Sequence, residues 1–167
     1  MARARQQPPV PFDPYQVFQA LDRHHVQYVV IGAFARVIHG TRETTHAIDI
    51  TPSMRADNQR RLAQALADLD ARPTGDDPAD ADAPRAYATR AGALAIVPIP
   101  AGTRGYDDLR RQATRENIGQ SCRPQVATPG DLARMLGALD DPASQERLLR
   151  LRRLIELDRS RGLAIEF

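Results

Sequence analysis

Three features of this sequence predict an α/β (α+β) domain: a small mixed β-sheet flanked by helices, with a helical C-terminal end. Short β-branched runs alternate with segments of helical periodicity. One such run, Gln27-Tyr-Val-Val-Ile31, breaks at Gly32 directly into helical spacing. The last long segment, from about Pro142 to Arg159, sets Leu148, Leu151, Leu154 and Ile155 on one face and its arginines on the others.

Residues 1–12 are Pro-rich and aperiodic, a flexible arm by composition. Asp13-Pro14 reads as an N-cap with proline at the first helical position, opening a helix to about His24 through Val17, Phe18 and Leu21. The strand to Ile31 follows, then a short helix over Ala33–His39 closed by Gly40. Ala47–Thr51 is a second strand, stopped at Pro52. Asp57 is expected to cap a helix through Asp70, with Leu62, Leu66 and Leu69 facing inward. Pro73–Pro84 is a loop. Arg85–Thr89 and Ala93–Pro98 are strands joined by a tight turn at Arg90-Ala-Gly92. Tyr106–Ala113 has helical spacing, Gln125–Ala127 suits a short strand, and Thr128 starts a helix to about Leu139.

The chain has 167 residues, 42% apolar and 26% charged, so residues 13–167 are expected to form a single domain. All 23 basic residues are arginine, which removes every chemistry that needs a lysine, such as a Schiff base or a P-loop phosphate ligand. A net charge of +2 does not suggest a surface that wraps duplex DNA. The lone Cys122 excludes an internal disulfide and a cysteine zinc cluster within one chain. The longest apolar run, Tyr28–Ala35, is far short of the roughly 20 residues that span a bilayer. With an N-terminus of Arg, Gln and Pro, a cytoplasmic protein without membrane contact is expected.

The informative block is Ile31–Gly40 followed by Thr41–Ile50. A strand that ends in glycine and enters a helix presents unpaired N–H groups and a positive helix end, which suits a phosphate. On the next strand, positions 47 and 49 share one face. Carboxylates there would hold a divalent metal against that phosphate.

At these residues the sequence resembles the nucleotidyltransferase superfamily typified by polymerase β, and most closely the small bacterial nucleotidyltransferases of toxin–antitoxin and abortive-infection systems. Their pattern is Gly-Gly or Gly-Ser at the strand–helix junction, then Arg-x-Thr-x-Asp-x-Asp, then a third acidic residue within Gly-x-Leu-Asp. The corresponding residues are Gly32-Ala33, Arg42 (one position further from Thr45 than the pattern sets it), Thr45, Ala47-Ile48-Asp49 and Gly92-Ala-Leu-Ala95. The resemblance implies an NTP bound by Gly32, Ala33, Arg42 and Thr45, Mg²⁺ at Asp49, and transfer of a nucleotide to a hydroxyl of tRNA or protein. A cognate antitoxin would be a further partner.

The departures fall on the chemistry. Ala47 and Ala95 stand where the family carries its first and third carboxylates, and Ala33 replaces the second glycine or serine. A basic residue that these toxins often carry in the helix after Asp131-Leu132 has no lysine counterpart; Arg134 is the nearest base. Nucleotidyl transfer in this superfamily uses two Mg²⁺ ions roughly 4 Å apart, bound by carboxylate oxygens. With Asp49 alone, Mg²⁺ is expected to bind weakly or not at all, and the chain to be inactive or very weak. Non-catalytic binding of a nucleotide, RNA or partner chain is the other reading. No metal role is expected for His24, His25, His39 or His46. His46 adjoins position 47 and is expected on the strand face opposite Asp49, and His24 and His25 end a helix. Arg150, Arg152, Arg153, Arg159 and Arg161 form a basic helix face, expected to be solvated.

Overall fold

The computed structural model describes residues 10–164, with side chains to Arg161. In chain order the elements are α1 (Pro14–Arg23), β1 (Tyr28–Ile31), α2 (Gly32–His39), β2 (Ala47–Pro52), α3 (Ala56–Asp68), β3 (Arg72–Pro73), β4 (Arg85–Thr89), β5 (Gly92–Ile96), α4 (Tyr106–Leu109), β6 (Thr114–Arg115), β7 (Gln125–Val126), α5 (Pro129–Gly137) and α6 (Pro142–Ala164). The mixed α/β architecture with a helical C-terminal end is the one expected.

The strands form one seven-stranded sheet in the order β3-β4-β5-β2-β1-β7-β6. β1 runs antiparallel to β2 and parallel to β7, and β2 runs parallel to β5. All four residues of β1 are buried, as a central strand covered on both faces requires. The alternate residues Ile48 and Ile50 of β2 are fully buried, and with Val17, Phe18, Leu21, Leu62 and Leu69 they belong to the one core cluster. β2 thus sends its isoleucines into the core and positions 47 and 49 to the opposite face.

Local chemistry explains the helix starts. Asp13 Oδ1 accepts from the amides of Tyr15 and Gln16, with Pro14 at the first helical position. Thr128 Oγ1 accepts from Asp131 N at 3.1 Å and opens α5. The expected cap at Asp57 is corrected: α3 begins at Ala56 behind Arg55, and Asp57 sits in the first turn, accepting from Asn58 N at 3.0 Å. An acidic residue suits either place, so composition alone does not separate them.

Other boundaries differ for readable reasons. The helix expected to Ala113 stops at Leu109, and Thr114–Arg115 pairs with β7 instead. The loop from Pro73 loses its first residue to β3, a two-residue edge strand against β4. Such strands lack the length for a periodic signal. Of the arm expected over residues 1–12, residues 1–9 lie outside those described. Phe12 packs edge-on to Phe34 at 6.0 Å, and Asp13 N donates to Ala91 O at 2.8 Å, fastening the start of the domain to the β4–β5 turn.

Candidate functional site

The site is built where β1 ends, α2 begins and β2 passes alongside. Ile31 pairs with Asp49 across the antiparallel β1–β2 ladder, which puts Asp49 next to Gly32. Gly32 has φ of +73°, a conformation that favours glycine. A Cβ there would collide with Asp49 Oδ2 and stand 3.1 Å from its Cγ. Glycine is therefore needed twice, for the turn and for the carboxylate that packs against it.

Burial raises the Asp49 carboxyl above its ordinary value of 3.8, and the positive charge of Arg36 opposes that rise. Arg36 lies on α2 and is buried. It forms a bidentate pair with Glu43, with Nε to Oε2 and Nη2 to Oε1 both at 2.9 Å. Thr41 Oγ1 donates to the same carboxylate at 2.7 Å. Burial would push the Glu43 carboxyl up, but these hydrogen bonds and the Arg36 charge hold it below its ordinary 4.5. The pair fixes the loop between α2 and β2 and so sets where β2 enters the sheet.

The parallel β2–β5 register pairs Ala47 with Ala93 and Asp49 with Ala95. Partners in a ladder project to the same face, as do residues two apart along a strand. Ala47, Asp49 and Ala95 therefore share one face of the sheet, with Asp49 flanked by two methyl groups. The antiparallel β4–β5 register extends the pattern by pairing Ala86 with Ala95 and Ala88 with Ala93.

The other expected residues take separate places. Ala33 sits half-buried in the first turn of α2. Thr45 Oγ1 donates to Ala47 O at 3.0 Å and accepts from its amide at 3.4 Å, shaping the entry to β2. Arg42 lines a 300 Å³ hollow between the α2–β2 loop and α6, with Arg150, Arg153, Leu154 and Leu157. The arginine whose charge reaches Asp49 is Arg36, which sequence reasoning passed over. Its signal was present: a charged residue on an otherwise apolar short helix, seven positions before a glutamate. Arg134 reaches Asp108 at 3.2 Å and Asp131 at 3.3 Å. The ring of His46 lies 6.3 Å from that of Phe12, at the rim of a cavity that Ala47 also lines. β2 starts only at Ala47, so strand alternation does not carry His46 to the far face.

A metal finds a poor donor set. Mg²⁺ takes hard oxygen ligands. The face around Asp49 offers that one carboxylate, packed against Gly32 and flanked by Ala47 and Ala95. Among the described residues no group of three His, Cys, Asp or Glu side chains could hold a metal ion. The residues present do not fit the paired-metal chemistry that the resemblance implies. Among the described residues, too, no helix is long and apolar enough to cross a membrane.

No protein-family model matches the sequence, and no curated protein matches it. Among solved structures, the fold is similar to that of the lincosamide antibiotic adenylyltransferase LnuA in its lincomycin-bound form. That likeness has a TM-score of 0.60 at 14% identity and covers 86% of this chain and 99% of that one. The antibiotic-resistance factor ANT(2'')-Ia is similar at a TM-score of 0.52 and 15% identity, covering 92% of each chain. A Thermotoga maritima protein assigned as a nucleotidyltransferase is similar at 0.52 and 12% identity, over 92% of this chain and 91% of its own. Identities this low speak for architecture alone: the chain has the nucleotidyltransferase fold.

Proposed function

We propose that this chain is a nucleotidyltransferase-fold protein whose metal-dependent transfer chemistry is silent, and whose cleft binds a ligand without turning it over. The observation that carries the reading is the register of β2 against β5. It sets Ala47 and Ala95 on the same face as Asp49, at the two positions where the resemblance expects carboxylates. A methyl group has no oxygen to offer a cation and no basic atom to take a proton from an attacking hydroxyl.

What the fold retains favours binding. Gly32 and the start of α2 form a strand–helix junction whose amides no side chain caps, and a large cavity opens beside Ala47 and Ala95. LnuA is seen with lincomycin bound. That supports a small organic molecule as one class of occupant. The resemblance to toxin-type relatives makes an NTP the first nucleotide to try and tRNA the first macromolecule.

The reading is tested by incubating the purified protein with each of the four radiolabelled NTPs, Mg²⁺, total tRNA and a protein extract. No label above the no-enzyme control is expected on RNA, protein or the chain itself. Labelling that Asp49→Ala abolishes would overturn the reading. Isothermal titration with Mg²⁺ alone should likewise give no saturable heat, whereas Ala47→Asp/Ala95→Asp restores three carboxylates on one face and should gain a measurable Mg²⁺ affinity.

A further inference from the structure

The cavity beside the silent centre has a composition of its own. It encloses about 810 Å³, within the size range of small-molecule sites. Its floor is the exposed face of three adjacent strands, and the register fixes what stands there. Ala88, Ala93 and Ala47 form one row across β4, β5 and β2, and Ala86, Ala95 and Asp49 form the next. All five alanines line the cavity, and it ends before Asp49. A β-sheet normally carries side chains of uneven height. Here five neighbouring lattice points stop at Cβ, leaving a flat patch about 10 Å across three strands and about 7 Å along them.

The walls add direction. Phe12 stands at one end against Gly92, where a Cβ would come within 2.7 Å of its ring, and His46 meets that ring edge-on. Thr74 lies at another edge. Among the described residues, His46 and Tyr87 are the only ionisable residues in the lining. Among the described residues no arginine lines it. The described lining sets no fixed cation against a triphosphate's charge, and desolvating that charge on a methyl floor is unfavourable. A flat neutral ring loses little hydration and covers the methyl floor completely.

We infer that this alanine floor is a binding surface for a flat, uncharged aromatic molecule of two or three fused rings. Its plane lies on Ala47, Ala86, Ala88, Ala93 and Ala95, and its edge meets Phe12 and His46. The inference rests on the reading above in that the ligand occupies space which a metal–triphosphate would otherwise approach. The two fail separately: label transfer by the wild-type chain refutes silence, whereas the experiment below concerns the floor alone.

The test is a fluorescence titration with lumichrome, a flat uncharged tricycle, alongside adamantan-1-ol as a neutral but globular competitor. Saturable binding of lumichrome is expected, with little displacement by adamantan-1-ol. Ala93→Leu places a branched side chain on the floor at an exposed strand position, so folding should be unaffected while lumichrome affinity falls about tenfold or more. Ala63→Leu, on the exposed side of α3, is the matched control and should bind as wild type does. The inference is overturned if lumichrome does not bind, if Ala93→Leu binds it as tightly as wild type at an unchanged melting temperature, or if adamantan-1-ol competes equally. It is also overturned if sedimentation shows a dimer that Ala93→Leu dissolves, since a second copy would then be the occupant.

Discussion

Gly32 and Asp49 show how closely two residues can constrain each other. Gly32 turns the chain at a positive φ and leaves the space that the Asp49 carboxylate fills. Gly32→Ala should therefore lose about 1–3 kcal/mol from backbone strain alone, and more from the collision. Gly32→Ala/Asp49→Gly removes the collision but not the strain, so urea unfolding should show partial recovery. Asp49 also predicts a pH dependence. Burial raises its folded carboxyl above the unfolded value, so the folded chain binds the proton more tightly and loses stability as pH rises through that window. Asp49→Asn lacks this loss. Its melting temperature should exceed that of wild type at neutral pH, and the difference should vanish below the ordinary carboxylate value of 3.8. The sequence made Gly32 and Asp49 legible because a strand ending in glycine and an aspartate on the next strand are local patterns. Arg36 left only a faint local signal, a lone charge on a short apolar helix. Its importance comes from Glu43 and the charge of Asp49, which only the folded chain brings together.

At the scale of elements, the α2–β2 loop is held by one buried ion pair. Arg36 and Glu43 keep side-chain exposures of only 8% and 14%. Removing one partner strands the other charge, so Arg36→Met should destabilise the fold by about 3–5 kcal/mol in urea titration. Arg36→Met/Glu43→Leu should recover most of that loss. Glu43 is held below its ordinary value, so its contribution is present above pH 4.5 and disappears as pH falls through the lowered folded value. The wild-type advantage over Glu43→Gln should follow the same course. Strand alternation was the most readable signal at this scale: Ala86 and Ala88, then Ala93 and Ala95, lie two apart in the sequence. Their assembly into one floor with Ala47 was not readable, because register between strands distant in sequence is set by the whole sheet. The two-residue strands β3 and β6 stayed hidden for want of length, and α4 proved shorter than its spacing implied because Thr114–Arg115 found a partner in β7.

For the whole molecule, the seven strands and six helices of the described residues build the nucleotidyltransferase fold around a face on which Asp49 is the one described carboxylate. The alternation of strands with helices, the glycine junction and the C-terminal stripe were enough to read the fold class before any geometry was known. The alanines at 47 and 95 stood out only against a family pattern, because nothing about an alanine marks it as a missing ligand in a chain this rich in alanine. The register gives them their physical meaning: both flank Asp49 on one face, and both border an apolar cavity. On the proposed reading this face performs no metal-dependent transfer. The most direct test of that reading measures label incorporation from radiolabelled NTPs in the presence of Mg²⁺, comparing the wild-type chain with Asp49→Ala. The account predicts that both give only the background of the no-enzyme control. Incorporation by wild type that Asp49→Ala abolishes would contradict it.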